Sequence, residues 1–259
     1  MDIIKKIKEK KELSSLEDSF IQYILKKIKA KNEIKEARKE LRRLYGAFQI
    51  KNAIKKRAIY LKEILESLNK KEFNLEAHKN ILKTHRSTKE RLNIYEDLYK
   101  NLPKFKTIQD LACGLNPFSL IFLKNLQIKY YAFDIQCQEL SLIKEYFKGI
   151  KDNFSEFNYE VKTINLFEDI PEIKTDLTFI FKFIDLLESK KEYKLAEEII
   201  KKIQSSLILV SFSKITLGRK RMKYPRRKWF ELMLNRLNFN YKVLEYENEI
   251  FYLIHKTIY

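Results

Sequence analysis

Glycine, proline and cysteine are all scarce in this sequence of 259 residues, which contains four, four and two of them. So few Gly and Pro residues argue against a collagen-like chain or a long flexible linker, because both are rich in these residues. Cys113 and Cys137 are too few for a disulfide framework, and neither belongs to a Cys-x-x-Cys pair with His partners that would indicate zinc. We therefore expect a folded, helix-rich protein with free thiols and no metal.

Long apolar runs are missing as well. No segment approaches the roughly 20 consecutive apolar residues that a transmembrane helix needs. Residues 1–11 alternate Lys with Ile, whereas a signal peptide has a continuous apolar run. The sequence therefore predicts a cytoplasmic protein that does not contact the membrane.

Acidic residues are outnumbered by basic ones, 35 against 53, and the formal net charge is +18. The excess is uneven, because residues 1–106 contain 29 Lys and Arg against 15 Asp and Glu, whereas the remainder contains 24 against 20. A strongly basic segment attracts a polyanion through counterion release, with RNA or DNA favoured over an anionic membrane. The alternative is a solvated, Lys-rich helical surface without a ligand.

Helical periodicity dominates the first hundred residues. Apolar residues recur at helical spacing from Ser14 to Leu44, then from Ile54 to Leu68 after a break at Tyr45-Gly46-Ala47, and again from Phe73 to Leu82. Lys and Arg lie between them, so the pattern predicts a bundle of amphipathic helices with basic outer faces.

After Pro103, short β-rich runs alternate with helical segments, which is typical of a mostly parallel sheet. The last two runs are separated only by Glu247-Asn248-Glu249, a spacing that suits an antiparallel hairpin. The predicted strands are Thr107–Ala112, Lys129–Asp134, Tyr159–Ile164, Leu177–Phe181, Leu207–Phe212, Tyr241–Tyr246 and Ile250–His255. Seven strands ending in a hairpin predict an α/β protein with the Rossmann-like sheet of class I S-adenosylmethionine (SAM) methyltransferases, preceded by a helical domain.

The strongest local motif is Asp110–Pro117, read Asp-Leu-Ala-Cys-Gly-Leu-Asn-Pro, where the first strand turns into a helix. Gly114 lets the backbone approach a ligand, and Pro117 suits the first turn of a helix. Asp134 follows Gly114 by 20 positions, at the end of the second strand, where such folds place a carboxylate on ribose hydroxyls. A GxGxxG motif is absent, which disfavours an NAD enzyme. By this pattern alone, a SAM site and a purely structural turn both remain possible.

Matching segments through most of the chain resemble the 16S rRNA (guanine-N7) methyltransferases of aminoglycoside resistance, the Arm/Rmt family. The combination of His85–Leu92 with Asp110–Pro117 is the most specific part of the resemblance. The other matching segments are Gly46-Ala47, Asp134-Ile135, Ile180–Lys182, Leu186–Glu188, Val210–Phe212, Leu217-Gly218, Trp229–Glu231 and Tyr252–Ile254. The resemblance implies transfer of a methyl group from SAM to N7 of guanine 1405 in the decoding site, and hence aminoglycoside resistance.

The resemblance also implies cofactor contacts. Ser87–Arg91 would lie against SAM, with Arg91 on the methionine carboxylate; the alternative is a capping box in which Ser87 and Glu90 open a helix. Asp134 would bind the ribose and Asn165-Leu166 would lie beside the adenine, although the family more often has Asp where this chain has Asn165. The predicted cofactor-binding set is completed by His85, Ala112, Gly114, Asn116, Ile135 and Phe181.

Phe181-Lys182-Phe183 ends the fourth predicted strand, where base-modifying methyltransferases place residues that meet the target, so Phe181 and Lys182 are the predicted catalytic residues. Motifs for exocyclic amines (Asn-Pro-Pro-Tyr) and for pyrimidine C5 chemistry (Pro-Cys) are absent. Methylation of guanine N7 needs neither motif, because the N7 lone pair already points outward from the ring. Catalysis would then be mainly positioning of N7 against the sulfonium.

A basic segment follows the fifth predicted strand. Residues 214–228 contain eight Lys and Arg and no acidic residue, and such a loop beside an active site can bind RNA phosphates. The predicted RNA-binding residues are Lys214, Arg219, Arg221, Arg226 and Arg227. Trp229 and Phe230 either stack on bases or pack in the core, and core packing is favoured. Cys113 is interpreted as a small buried residue.

These observations predict two domains, a basic helical rRNA-binding domain over residues 1–84 and a SAM-dependent methyltransferase domain over residues 85–259. The expected partner is 16S rRNA in the assembled small ribosomal subunit, and the expected state is a monomer. Two alternatives remain: methylation of another rRNA or tRNA base, and a non-catalytic ribosome-binding module that has kept the fold.

Overall fold

The computed structural model describes residues 2–50, 53–123, 125–188, 193–216 and 218–256. Leu217, which belongs to a matching segment and to the basic loop, lies outside the described residues, as do residues 1 and 257–259 of the two predicted domains. Within the described ranges, no helix combines the length and the apolar character needed to cross a membrane.

Three helices at the amino terminus have an apolar core of their own. They are α1 (Ile3–Lys8), α2 (Asp18–Lys27) and α3 (Glu33–Leu44). Their inward faces meet around buried side chains such as Phe20, Ile24 and Leu41, as the helical spacing predicts. Asn32 begins α3, because its Oδ1 accepts the N–H of Lys35 (3.1 Å).

Four helices follow, and all but the third share the core of the sheet. They are α4 (Arg57–Asn69), α5 (Leu75–Leu82), α6 (Arg86–Arg91) and α7 (Tyr95–Lys100). Leu61 of α4 and Ile81 of α5 belong to the same buried cluster as Ile108 of the first strand. The packing therefore groups α4 and α5 with the sheet, and the division between residues 84 and 85 stays a prediction.

The sheet has seven strands in the order β3-β2-β1-β4-β5-β7-β6. The strands are β1 (Thr107–Leu111), β2 (Lys129–Asp134), β3 (Asn158–Thr163), β4 (Thr175–Phe181), β5 (Ser205–Ser213), β6 (Asn240–Glu245) and β7 (Glu249–His255). The first five are parallel, and β7 lies antiparallel between β5 and β6. The remaining helices are α8 (Cys137–Asn153), α9 (Phe183–Glu188), α10 (Tyr193–Lys202) and α11 (Lys228–Arg236). All seven predicted strands and the carboxyl-terminal hairpin are confirmed.

Two strand boundaries differ from the prediction in a way that matters for the site. Ala112 has a left-handed backbone (φ 55°), so β1 ends at Leu111 and the chain turns one residue earlier than predicted. Glu249 is not part of the hairpin loop: it is the first residue of β7, opposite Ser213 of β5. Its side chain therefore lies at the carboxyl end of β5.

The amino-terminal helices attach to the sheet beside the end of β2. The backbone N–H of Glu17 donates to the carbonyl of Ile135 (3.2 Å), and the N–H of Cys137 donates to the carbonyl of Ser15 (3.1 Å). Phe20 of α2 stacks on Phe167 with ring centroids 5.8 Å apart. These contacts place α2 over the edge of the sheet at which the parallel strands end.

Candidate active site

A pocket opens at the carboxyl ends of β1, β2 and β4, where the strand order reverses and where open α/β sheets bind ligands. Nine of the eleven predicted cofactor residues line it: His85, Ser87, Arg91, Ala112, Gly114, Asp134, Ile135, Leu166 and Phe181. Phe20, Leu44 and Tyr45 of the amino-terminal segment line it as well. The pocket is therefore lined by residues from both predicted domains.

Gly114 forms the turn that brings the backbone to this pocket. Its φ of 50° is left-handed, and a Cβ at this position would lie 3.2 Å from Cε1 of His85. Its N–H donates to Oδ2 of Asp134 (2.8 Å), which ties the turn after β1 to the end of β2. Only glycine satisfies both the backbone angle and the close approach.

Asp134 is held by three backbone donors. Besides Gly114, the N–H groups of Ile135 (2.7 Å) and Gln136 (3.0 Å) donate to its Oδ1. Burial, together with the nearby carboxylate of Glu139, raises the pKa of Asp134, and the backbone donors oppose that rise. A carboxylate offers about four acceptor positions, so one remains for a ligand hydroxyl.

Arg91 is buried in the lining of the same pocket, and its guanidinium is surrounded by protein acceptors. Nε donates to Oε1 of Glu249 (3.1 Å), which Nη2 also contacts at 3.1 Å. Nη2 also donates to Ser87 (2.7 Å), and Nη1 donates to the hydroxyl of Tyr95 and to Oδ1 of Asn116, both at 3.1 Å. The guanidinium lies 4.3 Å from the ring centre of Phe181, a cation–π contact.

Asn116 and Asn165 lie behind the pocket wall. Asn116 links Arg91 to Asp110, to whose Oδ2 its Nδ2 donates (2.8 Å). Asn165 closes its own turn, accepting the N–H of Phe167 (3.2 Å) and donating to Glu168 (2.7 Å). Their predicted contact with the cofactor stays a prediction; in this geometry they support neighbouring residues.

His85 lies at the floor of the pocket, between the turn at Gly114 and the ring of Phe48, whose centroid is 5.8 Å away. Burial lowers the pKa of His85 to about 4, so the ring is neutral near pH 7. Nδ1 is buried and has no hydrogen-bond partner within the described structure. Such an unpaired polar atom in a pocket is typical of a ligand-binding position.

The capping-box alternative for the Ser87 segment is wrong. Helix α6 begins at Arg86 with His85 as its N-cap, and no side chain caps it. Ser87 lies inside the helix, where its hydroxyl accepts from Arg91, and Glu90 contacts Lys182 instead of the helix start. Ser87 and Glu90 therefore contact Arg91 and Lys182 at the site and do not cap the helix.

These residues fit the SAM that the sequence predicts. The Asp134 carboxylate suits ribose hydroxyls, the Gly114 turn admits a nucleoside, and Leu166 and Ile135 offer apolar contact for a base. Arg91 supplies a cation for a carboxylate. The predicted cofactor is thus chemically matched to the walls of the pocket.

Lys182 lies where the first pocket meets a second cavity, and it lines both. Its backbone is left-handed (φ 59°) at the end of β4, and such strained positions cluster at functional sites. Its ammonium is 2.6 Å from Oε2 of Glu90 and 3.3 Å from Oε2 of Glu249. Phe181, the preceding residue, lines only the first pocket.

The second cavity lies between α6, α9 and the loop after β5, and three predicted RNA-binding residues reach it: Arg219, Arg226 and Arg227. Arg219 is exposed at its rim. Arg226 contacts Glu231 (2.8 Å), with about half of its side chain exposed. Arg227 differs, because it is buried and its guanidinium contacts Asp185 (2.7 Å) and the carbonyl of Ser213.

The other two predicted RNA-binding residues lie outside that cavity. Lys214 contacts Glu245 and Arg221 contacts Glu247, each at 2.7 Å. Lys214 is mostly covered, whereas Arg221 is 66% exposed and remains accessible to a phosphate. The basic loop is therefore partly neutralised by the β6–β7 hairpin.

Core packing is confirmed for Phe230 and Cys113, which are buried. Trp229 is half-buried, packs against the ring of Tyr193 at 4.6 Å and also lines the second cavity. The two cysteines are free, as expected.

Four residues that support the pocket were missed by sequence reasoning. Glu249 was assigned to a loop; only its place opposite Ser213 in the sheet shows that it reaches the site. Arg57, Gln49 and Glu139 form a second buried cluster in which Arg57 Nη1 donates to Glu139 (2.8 Å) and Nη2 donates to Gln49 (2.9 Å). Their sequence spacing, 82 residues from Arg57 to Glu139, gives no local signal.

Sheet order, pocket position and the paired Gly114 and Asp134 together define the class I methyltransferase fold. The profile described as "Ribosomal RNA methyltransferase (FmrO)" matches residues 25–253, and the chain belongs to this family. A curated 16S rRNA (guanine(1405)-N(7))-methyltransferase from Micromonospora echinospora is 26% identical over 232 residues, 86% of this chain and 82% of the relative. One from Proteus mirabilis is 30% identical over 61% of this chain and 60% of the relative.

Solved structures share the whole fold. The 16S rRNA methyltransferase RmtF, in complex with S-adenosyl-L-homocysteine, is 21% identical with a TM-score of 0.81 and covers 99% of this chain and 100% of its own. The 16S rRNA methylase RmtB is 21% identical with a TM-score of 0.75, over 99% of this chain and 98% of its own.

Proposed function

We propose that this chain transfers the methyl group of SAM to N7 of guanine 1405 in the decoding site of 16S rRNA, within the assembled small subunit in the cytoplasm. The observation that carries the proposal is the junction at Lys182 between a pocket suited to a nucleoside and a cavity with a basic rim. Support comes from the FmrO family and from relatives named for this reaction.

In the first pocket, bound SAM supplies an electrophilic methyl group. Asp134 accepts from the ribose hydroxyls, and Arg91 pairs with the carboxylate at the amino-acid end. Asn116 and Asn165 hold the wall from behind, and Phe181 covers the guanidinium of Arg91.

On the other side, Lys182 meets the target base. Guanine presents N7 and O6 as neighbouring acceptors on one edge. An N–H of Lys182 donated to O6 leaves the N7 lone pair directed at the methyl group, with no proton to remove. Because Glu90 and Glu249 both contact Lys182, its charge is balanced and does not oppose the positive charge that the ring acquires.

Residues 1–84 bring the enzyme to the ribosomal surface through their basic helices, and residues 85–259 carry the chemistry, in a monomer. Exposed Arg219, Arg221 and Arg226 contact phosphates around the target, with Lys214 at the base of the loop. We assign Arg227 to holding this loop on Asp185, since its guanidinium is already buried there.

The test is methyl transfer from labelled SAM to purified small subunits, followed by strand cleavage at N7-methylguanine. Cleavage at the decoding-site guanine, together with aminoglycoside resistance of cells that express the chain, is expected. Label without that cleavage would mean another base, and no label on subunits, free rRNA or tRNA would reject the enzyme. Replacement of Arg219, Arg221 and Arg226 by Ala should weaken subunit binding and flatten its salt dependence. Replacement of exposed Lys144 and Lys148 on α8 by Ala is the control and should do neither.

A further inference from the structure

Glu249 is placed between the two charged residues on which the proposed reaction depends. It is about 1% exposed, and its two carboxylate oxygens face different cations: Oε1 is 3.1 Å from Arg91, and Oε2 is 3.3 Å from Lys182. Burial would raise the pKa of Glu249, but Arg91 and Lys182 outweigh burial and keep that pKa below its usual value. The carboxylate is therefore ionised and shared between the two cavities.

The guanidinium of Arg91 is already surrounded by protein acceptors: it donates four hydrogen bonds, and its Nη2 also lies 3.1 Å from Oε1 of Glu249. An incoming carboxylate must replace one of them. Tyr95 and Asn116 are fixed by bonds to each other and to Asp110, so they hold their places. Ser87 is a neutral partner of Arg91, so its hydroxyl does not repel an incoming carboxylate. Glu249 is the only charged partner of Arg91 among the residues that the structure describes, and two carboxylates on one guanidinium repel each other.

Oε2 of Glu249 is already directed to the neighbouring cation. It is buried and makes no hydrogen bond of normal geometry inside the described part of the chain, and the ammonium of Lys182 lies just beyond ordinary bonding distance. The Ser211 hydroxyl is near enough to Glu249 to help keep the pKa of Glu249 low. A small rotation of the carboxylate away from Arg91 closes that gap.

We propose that Glu249 is a shared counter-ion and a positioning residue: the carboxylate of bound SAM displaces it from Arg91, and it then pairs with Lys182 alone and more closely. A filled cofactor site thereby fixes the ammonium that meets the target base. This inference rests on the proposed function, because the proposed function is what assigns SAM to the first pocket and the target base to the other side of Lys182.

The test compares two ligands by calorimetry, S-adenosylhomocysteine and its decarboxylated analogue, which keeps the amine. The Kd of the decarboxylated analogue divided by the Kd of S-adenosylhomocysteine measures how much the carboxylate contributes to binding. In Glu249→Gln, no protein carboxylate competes with the ligand carboxylate for Arg91, so we expect this ratio to rise about tenfold. Glu90→Gln is the matched control, since it removes a carboxylate from Lys182 but not from Arg91; its ratio should stay within about twofold of the unmodified protein.

If Glu249→Gln fails to fold, the double variant Glu249→Gln/Lys182→Met removes one charge of each sign and should show the same raised ratio. An unchanged ratio, or an equal rise in Glu90→Gln, overturns the inference. If the unmodified chain binds neither ligand, the proposed function itself fails, and that outcome is distinct.

A crystal structure with S-adenosylhomocysteine gives an independent readout. Glu249 should lie within about 3 Å of the Lys182 ammonium, with the ligand carboxylate on Arg91. Glu249 still bound to Arg91 beside the ligand carboxylate would contradict the exchange.

Discussion

Arg57 and Arg91 are both buried, and each is paired with a buried glutamate that lies at or near the pocket, Glu139 and Glu249. Among the described residues, no polar side-chain atom of the cluster of Arg57 with Gln49, Thr84 and Glu139 is buried without a hydrogen-bond partner, and the guanidinium of Arg57 donates four hydrogen bonds within it. The cluster of Arg91 leaves Oε2 of Glu249 without a hydrogen bond.

The proposed function uses this difference: it assigns the Arg57 cluster to holding the fold and the Arg91 cluster to binding the cofactor. Arg57 joins α4 and the segment around Gln49 to the start of α8, and Glu139 is the only one of its partners at the pocket wall. A fully paired buried network stabilises a single arrangement, whereas an incompletely paired one retains an alternative. Three experiments test this contrast.

The largest expected effect is on stability, from Arg57→Met. This change leaves the Glu139 carboxylate buried without its cation and close to Asp134. Loss of one partner of a buried ion pair costs about 3 to 5 kcal/mol of the free energy of unfolding. Chemical denaturation measures it, and the double variant Arg57→Met/Glu139→Leu should recover most of the loss. A loss below about 1 kcal/mol would show that the pair is solvated.

The second effect compares the same substitution in both clusters. Arg91→Lys keeps the charge but loses the planar set of donors, so we expect S-adenosylhomocysteine to bind roughly tenfold to a hundredfold more weakly. Arg57→Lys should lower the melting temperature with little effect on that affinity. Equal loss of affinity in both variants would remove the distinction between the two clusters.

The smallest effect is on pH dependence. Burial lowers the pKa of both His85 and His78 from 6.5 to about 4. Between these pH values the unfolded chain binds protons that the folded chain does not, so stability is full above pH 6.5 and is lost as the pH falls toward 4.

His85→Asn and His78→Asn should each reduce this acid-induced loss by on the order of 1 to 3 kcal/mol. Only His85→Asn should also change ligand affinity, because His78 lies outside the pocket, bonded to Asn74 and Tyr146. Denaturation curves at pH 7.5 and 5 measure the loss. An identical loss in the unmodified protein and both variants would contradict the assignment.

Local sequence patterns predict those features of the fold and the site that depend on residues close together in the chain. The strand runs, the turn at Gly114 and the position of Asp134 follow from hydrophobic periodicity and backbone geometry, which act over a few residues. The partners of buried charges do not follow from such local patterns. Glu249 is 158 residues from Arg91, and only the insertion of β7 between β5 and β6 brings the two together. For the same reason, the sequence predicts an RNA contact for Arg227 and gives no sign of its ion pair with Asp185.

The late position of β7 has a consequence for how the protein is made. Ribosomes synthesise Arg91 and Lys182 long before Glu249, and β6 is made before the strand that separates it from β5. Until β7 is inserted, both cations lack their shared carboxylate, and the sheet has a gap. A nascent chain therefore has neither a complete sheet nor a complete set of charge partners at the site until β7 has been made.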